Sequence, residues 1–111
     1  MSMYKKEGYL RIALAELSIS WENKKENQEK CRRMAAVAAG ACDLLIFPEM
    51  TLTGFSMNVE KTAEEREHSE TMRFFMELSE EYGLLIAFGM AERREKEMDT
   101  LLAENKCYLV S

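Results

Sequence analysis

The fold of this chain is decided by one stretch, Asp43-Leu44-Leu45-Ile46-Phe47-Pro48-Glu49-Met50-Thr51-Leu52-Thr53-Gly54-Phe55. Its first part is an unbroken apolar run, which is typical of a strand buried on both faces of a parallel sheet. Pro48 cannot donate a hydrogen bond to a neighbouring strand, so it marks the end of that strand. Glu49 follows at once. Because α/β proteins place their chemistry just beyond the carboxyl ends of parallel strands, Glu49 is a candidate catalytic residue.

The residues around Glu49 leave two interpretations open. Phe47, Met50 and Phe55 are its apolar neighbours, and such surroundings disfavour a charged carboxylate and could tune Glu49 as a general base. The alternative is that Glu49 caps a helix or is solvated in a loop.

The segment before this stretch predicts a strand and a helix. Leu10 to Ile19 is apolar and suits a central strand. Asn23 predicts a helix N-cap, with Glu26 three residues later as in a capping box, and Gly40 predicts the helix end. With residues 43–47 as the next strand, the order is strand, helix, strand. This order predicts a parallel pair joined by a right-handed crossover.

The second half of the chain predicts one further helix and two strands. Residues 56–68 are polar and predict a loop with a helical turn, and Ser69 is a candidate cap for the helix that follows. We expect that helix to end at Gly83 and to bury Met72, Phe75, Met76 and Tyr82. Residues 84–88 predict a third strand, residues 91–99 a charged solvent loop, and residues 101–110 a last strand antiparallel to the third.

Several short motifs occur in an order that resembles one known family. Phe47-Pro48-Glu49-Met50 with Leu52-Thr53-Gly54-Phe55 resembles the first signature of the nitrilase superfamily, the carbon–nitrogen hydrolases. Residues 23–27 resemble the stretch before the family's first helix, and Gly40-Ala41 resembles the end of that helix. Residues 83–89 resemble the family's third strand. Asn105 stands where the family carries an Asn that opens the fourth strand.

The resemblance implies an α/β fold, the N-terminal half of a nitrilase-like α-β-β-α sandwich, with about four strands and two main helices on one face. Residues 1–111 would form a single partial domain, in which residues 1–8 are a lead-in and the chain stops within the fourth strand. One sheet face would then lack its facing sheet, so we expect self-association or a homo-oligomer.

The resemblance also implies hydrolysis of a small amide, nitrile or carbamoyl compound, without a metal or an organic cofactor. Family enzymes use a Glu, a Lys and a Cys, and Glu49 matches the general base. Phe55 is a candidate substrate-binding residue, and Glu16 stands where many members carry Gln. No residue matches the Lys or the nucleophilic Cys, so the chain as given is expected to be inactive. Two alternatives stay open: a non-enzymatic half-domain that binds a partner chain, and a generic α/β binding module.

Composition narrows the partners and the compartment. The formal charge of -5, from 20 acidic and 15 basic residues, argues against nucleic acid and anionic membranes as partners. No apolar run is long enough to span a bilayer. The three cysteines form no Cys-x-x-Cys pair, which argues against a zinc site or a disulfide scaffold and favours the cytoplasm.

The remaining reactive side chains predict structural roles. His68 is the only histidine, and no second histidine stands three or four residues away to share a metal ion. We therefore expect His68 to be a solvated surface residue and not a metal ligand. Cys107 follows Lys106, but successive side chains of a strand point to opposite faces, so Lys106 is poorly placed to activate it. We therefore expect Cys107 to be a structural thiol, like Cys31 and Cys42.

Overall fold

The computed structural model describes residues 8–94 and 103–111, which form one sheet with helices packed against it. The strands are β1 (Ile12–Leu14), β2 (Leu44–Ile46), β3 (Leu85–Arg93) and β4 (Ala103–Val110). The helices are α1 (Lys24–Ala38), the short α2 (Val59–Thr62) and α3 (Glu70–Tyr82), with a 3-10 turn at Arg66–His68.

The sheet has the order β1-β2-β3-β4 and mixes parallel and antiparallel pairs. The first three strands are parallel, with Ile12 beside Leu44 and Leu44 beside Leu85. The last strand runs antiparallel to β3, and Cys107 pairs with Gly89. The predicted strand–helix–strand unit and the predicted antiparallel last strand are both confirmed.

The helix ends follow the predicted signals. The Asn23 side chain accepts a hydrogen bond from the Glu26 amide at 3.1 Å and so caps α1. The Ser69 hydroxyl accepts one from the Met72 amide at 2.9 Å and caps α3. Gly83 ends α3 in the left-handed conformation, with φ of 63°, which a residue without a Cβ adopts at little cost.

The core lies between α1, α3 and one face of the sheet. Cys31 and Ala35 of α1 face α3 and the sheet, and Phe75 of α3 has no exposed surface. The Phe75 ring stacks on Phe88 with a centroid distance of 4.3 Å and lies 5.5 Å from Phe47. Aromatic rings bury large areas, so this cluster holds α3 against the sheet, while Cys31 and Ala35 bring α1 to the same core.

The opposite face of the sheet carries apolar side chains that no described helix covers. They come from all four strands and none is charged: Ile12, Leu14, Leu44, Ile46, Leu85, Ala87, Cys107 and Leu109, with Gly89 on the same face beside Cys107. Leu14 is 75% exposed and Leu109 62% exposed. We call this set the open face. It agrees with a half sandwich, in which helices cover only one side of the sheet.

Two strand lengths differ from the sequence prediction. The strand predicted over residues 10–19 was expected to be central, but it lies at the edge of the described sheet, beside β2. It is regular only at Ile12–Leu14, because β2 ends where Pro48 cannot continue the ladder. Conversely, β3 continues through Ala91, Glu92 and Arg93, which were predicted to lie in a loop. Pairing with β4 on one side and with Glu64 on the other holds these residues in the sheet despite their charge.

The buried side of α3 is rotated from the predicted one. Phe75 is buried as predicted, but Met76 was also predicted to be buried and is 54% exposed, and Phe74 and Leu78 face the core in its place. The predicted end of the charged segment, residues 95–99, lies outside the described residues, as does most of the predicted lead-in at residues 1–7.

Candidate functional site

Glu49 lies at the carboxyl edge of the parallel strands, as the sequence predicted. The Phe47 amide donates to the Ala87 carbonyl at 2.9 Å and extends the pairing of β2 with β3 by one residue. Pro48 then ends the ladder, and the chain turns at Glu49 and Met50. Met50 adopts a positive φ of 47°, which is uncommon for a residue other than glycine. A tight turn therefore presents Glu49 at the sheet edge.

The turn is fastened to β3 through Thr51, which is fully buried. The Thr51 amide donates to the Gly89 carbonyl at 3.1 Å, and the Gly89 amide donates to Thr51 Oγ1 at 3.2 Å. The same hydroxyl donates to the Pro48 carbonyl at 2.6 Å. Thr51 thus binds both backbone groups of one β3 residue and closes the turn on itself.

The far part of the loop is held from the opposite side by Asn27 of α1, which is 1% exposed. Its amide nitrogen donates to the Leu52 carbonyl at 2.6 Å and to the Ser20 carbonyl at 2.7 Å. Its oxygen accepts from the Ser20 amide at 2.8 Å. Sequence reasoning missed both Thr51 and Asn27, because their roles depend on partners distant in sequence.

A cleft of about 100 Å³ opens beside Glu49. It is lined by side chains from both faces of the sheet: Phe47, Glu49, Phe88, Gly89, Asn105, Lys106 and Cys107. Glu49 itself is exposed. The cleft therefore joins a carboxylate, an amide and a thiol at the end of the sheet where β2, β3 and β4 meet.

The other residues singled out in the sequence lie in different places. Phe55 is 65% exposed and does not line this cleft. Glu16 is exposed and lines a separate surface depression with Lys30 and Arg33 of α1. The structure therefore brings Glu49 together with Asn105, but not with Phe55 or Glu16.

Cys107 differs from the other two cysteines in its exposure. Cys31 and Cys42 are buried, whereas Cys107 is exposed and lines the cleft beside Glu49. Its side chain lies on the open face, where Cys107 pairs with Gly89. Burial raises the pKa of the Cys31 thiol to about 12, and burial also raises the pKa of Cys42, which suits packing roles for these two.

The sequence model of the carbon-nitrogen hydrolase family matches residues 11–111. The chain belongs to the carbon–nitrogen hydrolase family. A comparison with curated proteins finds no significant match. Among solved structures, a carbon–nitrogen hydrolase superfamily protein from Xanthomonas campestris, described with an arsenic adduct in its active site, is similar with a TM-score of 0.71 and 26% identity.

More distant structures share the fold. Nit3 of Saccharomyces cerevisiae, a member of branch 10 of the nitrilase superfamily, has a TM-score of 0.68 and 17% identity. An N-terminal amidase has a TM-score of 0.67 and 15% identity. The matches cover 88–89% of this chain but only 39% of the Xanthomonas and yeast proteins and 24% of the amidase. The chain therefore spans well under half the length of these relatives and has the architecture of one half of their sandwich.

A second polar cluster lies around Glu64 and ties the covered side of the fold together. Lys24 of α1 donates to Glu64 at 2.5 Å, the Ser69 hydroxyl donates at 2.6 Å, and the Thr71 amide donates at 2.9 Å. Burial opposes the charged form of Glu64, but these hydrogen bonds outweigh burial and lower the pKa of its carboxyl group. The cluster therefore ties the start of α1 to the start of α3.

Neither a metal site nor a membrane span is found in the described part of the chain. Residues 8–94 and 103–111 contain no group of three or more His, Cys, Asp or Glu side chains placed to hold a metal ion. His68 is exposed, as its sequence surroundings predicted. In the same residues, no helix has both the length and the apolar content needed to cross a bilayer.

Proposed function

We propose that this chain carries the general base of a carbon–nitrogen hydrolase site, with Glu49 as that base. The observation that supports it is the position of Glu49 in a cleft at the carboxyl edge of the parallel strands, in a chain that belongs to this family. A carboxylate at that edge can take a proton from a nucleophile bound in the cleft. The substrate class is a small amide, nitrile or carbamoyl compound.

In the proposed reaction a cysteine thiol attacks the carbon of the C–N bond after Glu49 accepts its proton. A lysine stabilises the negative charge that develops on the substrate. From an amide, the amine or ammonia leaves with the proton that Glu49 returns, whereas the adduct of a nitrile first adds water and then loses ammonia, which gives the same thioester. Water then resolves the thioester, with Glu49 again accepting and returning a proton. Of the family's catalytic Glu, Lys and Cys, the Glu has a counterpart in this chain, which is Glu49.

We further propose that the 111-residue chain has no hydrolase activity by itself. Although Lys106 and Cys107 line the cleft, they do not occupy the family's positions for the catalytic Lys and Cys. Lys106 lies within 3.6 Å of the Glu104 carboxylate. Loss of a covalent nucleophile lowers turnover by several orders of magnitude, so activity should fall below detection.

The test compares two forms of the protein. In a form extended beyond Ser111 with the family's Lys and Cys, Glu49→Gln should lower turnover of amide substrates at least about a hundredfold, the scale of general-base loss. Glu16→Gln is the matched control and should leave turnover unchanged. Activity that survives Glu49→Gln would contradict the assignment. Turnover by the 111-residue chain that disappears in Cys107→Ser would assign the nucleophile to Cys107.

The open face favours a second candidate function, binding of a partner chain. Apolar side chains from four strands form one uncharged surface, and large apolar patches of this kind are typical of interaction sites. On this alternative the chain associates with a further copy of itself or with a protein that supplies a facing sheet. Sedimentation across a concentration series distinguishes this function from that of a monomeric module.

A cytoplasmic location is part of the proposal. It is supported by the thiols of Cys31, Cys42 and Cys107, none of which forms a disulfide. Fractionation of cells that produce the tagged protein tests it, and recovery of the protein outside the cytoplasm would contradict it.

A further inference from the structure

Within residues 8–94 and 103–111, no group forms a hydrogen bond or an ion pair with the Glu49 carboxylate, and the residue is exposed. A general base must nevertheless stay within hydrogen-bond reach of the group that it deprotonates. Its position must therefore be set by the backbone of the turn that carries it.

That turn contacts the sheet at one residue of β3, Gly89. A Cβ atom on Gly89 would lie 2.8 Å from the Met50 amide nitrogen and 3.0 Å from the Glu49 Cα. Real Cβ atoms do not approach backbone atoms so closely, so any larger residue would push the Glu49 turn away from the sheet. Glycine at this position is what lets the turn lie directly on β3.

Thr51 supplies the attraction that holds the turn against Gly89. Its amide and its hydroxyl bind the carbonyl and the amide of Gly89, and its hydroxyl also donates to the carbonyl of Pro48, the residue before Glu49. The residue is fully buried, so water cannot replace these bonds. The Thr51 hydroxyl thus connects Pro48, at the start of the turn, to Gly89 of β3.

We propose that Thr51 is a positioning residue, which fixes Glu49 at the mouth of the cleft by clamping its turn onto Gly89. The meaning of this position for catalysis rests on the proposed function, but the clamp itself is a property of the chain and can be measured without turnover. Serine keeps the hydroxyl and should keep the clamp. Valine has the shape of threonine without the hydroxyl, so it should leave the Gly89 amide and the Pro48 carbonyl without partners.

The experiment uses the 111-residue chain in solution, with nuclear magnetic resonance of the backbone amides and of the Glu49 carboxyl carbon. Thr51→Val should speed hydrogen exchange of the Gly89 amide about tenfold, the factor expected for one lost buried hydrogen bond. It should also move the Glu49 and Met50 resonances. Thr51→Ser should restore both to the wild-type values.

Thr62→Val is the matched control. Thr62 is 3% exposed, and its hydroxyl donates to the Asn58 carbonyl at 3.0 Å, so the change removes one part-buried hydrogen bond away from the turn. It should lower the unfolding midpoint less than Thr51→Val, which removes two hydrogen bonds, and should leave the Glu49 resonances in place. Equal displacement of Glu49 by both variants, or no displacement by Thr51→Val, would overturn the proposal.

Two further measurements keep the proposal testable if Thr51→Val does not fold. In the wild-type chain the Gly89 amide should exchange at least about a hundredfold more slowly than in the unfolded chain, and an unprotected amide would overturn the clamp. Gly89→Ala should displace the Glu49 and Met50 resonances, and their persistence would also overturn it. None of these outcomes depends on turnover, so failure of the clamp and failure of the hydrolase assignment remain distinguishable.

Discussion

The two faces of the sheet have the same kind of sequence but opposite surroundings. On the helix-covered face, Leu45 and Ile86 have at most 1% of their surface exposed, and the aromatic cluster around Phe75 fills the space beneath the helices. On the open face, Leu14 and Leu109 are more than half exposed. The apolar side chains of one face are buried beneath the helices, whereas the equally apolar side chains of the other face have no covering layer among the described residues.

The contrast explains where the candidate site lies. The Glu49 cleft is lined by Phe47 and Phe88, which belong to the covered face, and by Gly89 and Cys107, which belong to the open face. The covered side fixes the turn through β3, while the other side of the cleft faces outward. A layer that covers the open face would therefore also enclose Glu49, which is how a sandwich can build one site from two halves.

The largest expected effect compares matched leucines on the two faces. Leu45→Ala should lower the free energy of unfolding by about 2–5 kcal/mol, because it removes buried methyl groups and leaves a cavity. Leu14→Ala should change it by no more than about 0.5 kcal/mol, since that side chain is already exposed. Urea unfolding followed by circular dichroism measures both. Equal losses would mean that the open face is packed in solution.

The second prediction concerns association. If the open face binds a second copy, Leu14→Lys combined with Leu109→Lys should raise the dissociation constant at least about a hundredfold, because the lysines would place charge in an apolar interface. Met57→Lys, at a residue 90% exposed away from the sheet, serves as the control. Sedimentation velocity gives the dissociation constants. A wild-type chain that stays monomeric at all concentrations and binds no hydrophobic dye would refute this prediction.

The third prediction concerns how the free energy of unfolding depends on pH. The open face carries no charged side chain, so the comparison is made with Glu64, which ties the helices together on the covered side. The pKa of Glu64 is lowered in the folded protein, so the unfolded chain binds its proton more tightly. The resulting stabilisation is fully present above the ordinary pKa of 4.5 and is lost as the pH falls through the lower folded value. Glu64→Gln should therefore cost about 1–3 kcal/mol at pH 7 and less at pH 3.

Denaturant unfolding at the two pH values tests this expectation. Glu65→Gln is the control, since Glu65 is the exposed neighbour of Glu64. A Glu64→Gln variant that loses stability equally at both pH values would show that the carboxylate's charge does not contribute.

Much of the fold could be predicted from the sequence because its signals are local. Pro48 ended β2, Asn23 and Ser69 capped their helices, and Gly83 ended α3 as predicted. These effects depend on residues within one helical turn of each other. The position of Glu49 at the sheet edge followed from the end of β2 in the same way.

The errors arose where a distant partner decides the outcome. Glu92 and Arg93 are charged, which favours a loop locally, yet pairing with Glu104 and Ala103 keeps them in β3. The clamp of Thr51 was missed for the same reason, because it depends on Gly89, which lies 38 residues away. Local patterns contain no information about such contacts.

The contrast between the two faces is tested most directly by the reactivity of the three thiols. Cys107 lies on the open face beside Gly89, whereas Cys31 and Cys42 are buried in the covered core. A hydrophilic thiol reagent added to the dilute native chain should modify Cys107 rapidly, with Cys31 reacting only when the protein unfolds, as intact and peptide mass spectrometry can show. If Cys107 reacts as slowly as Cys31 at every protein concentration, the open face is covered in solution and the account is wrong.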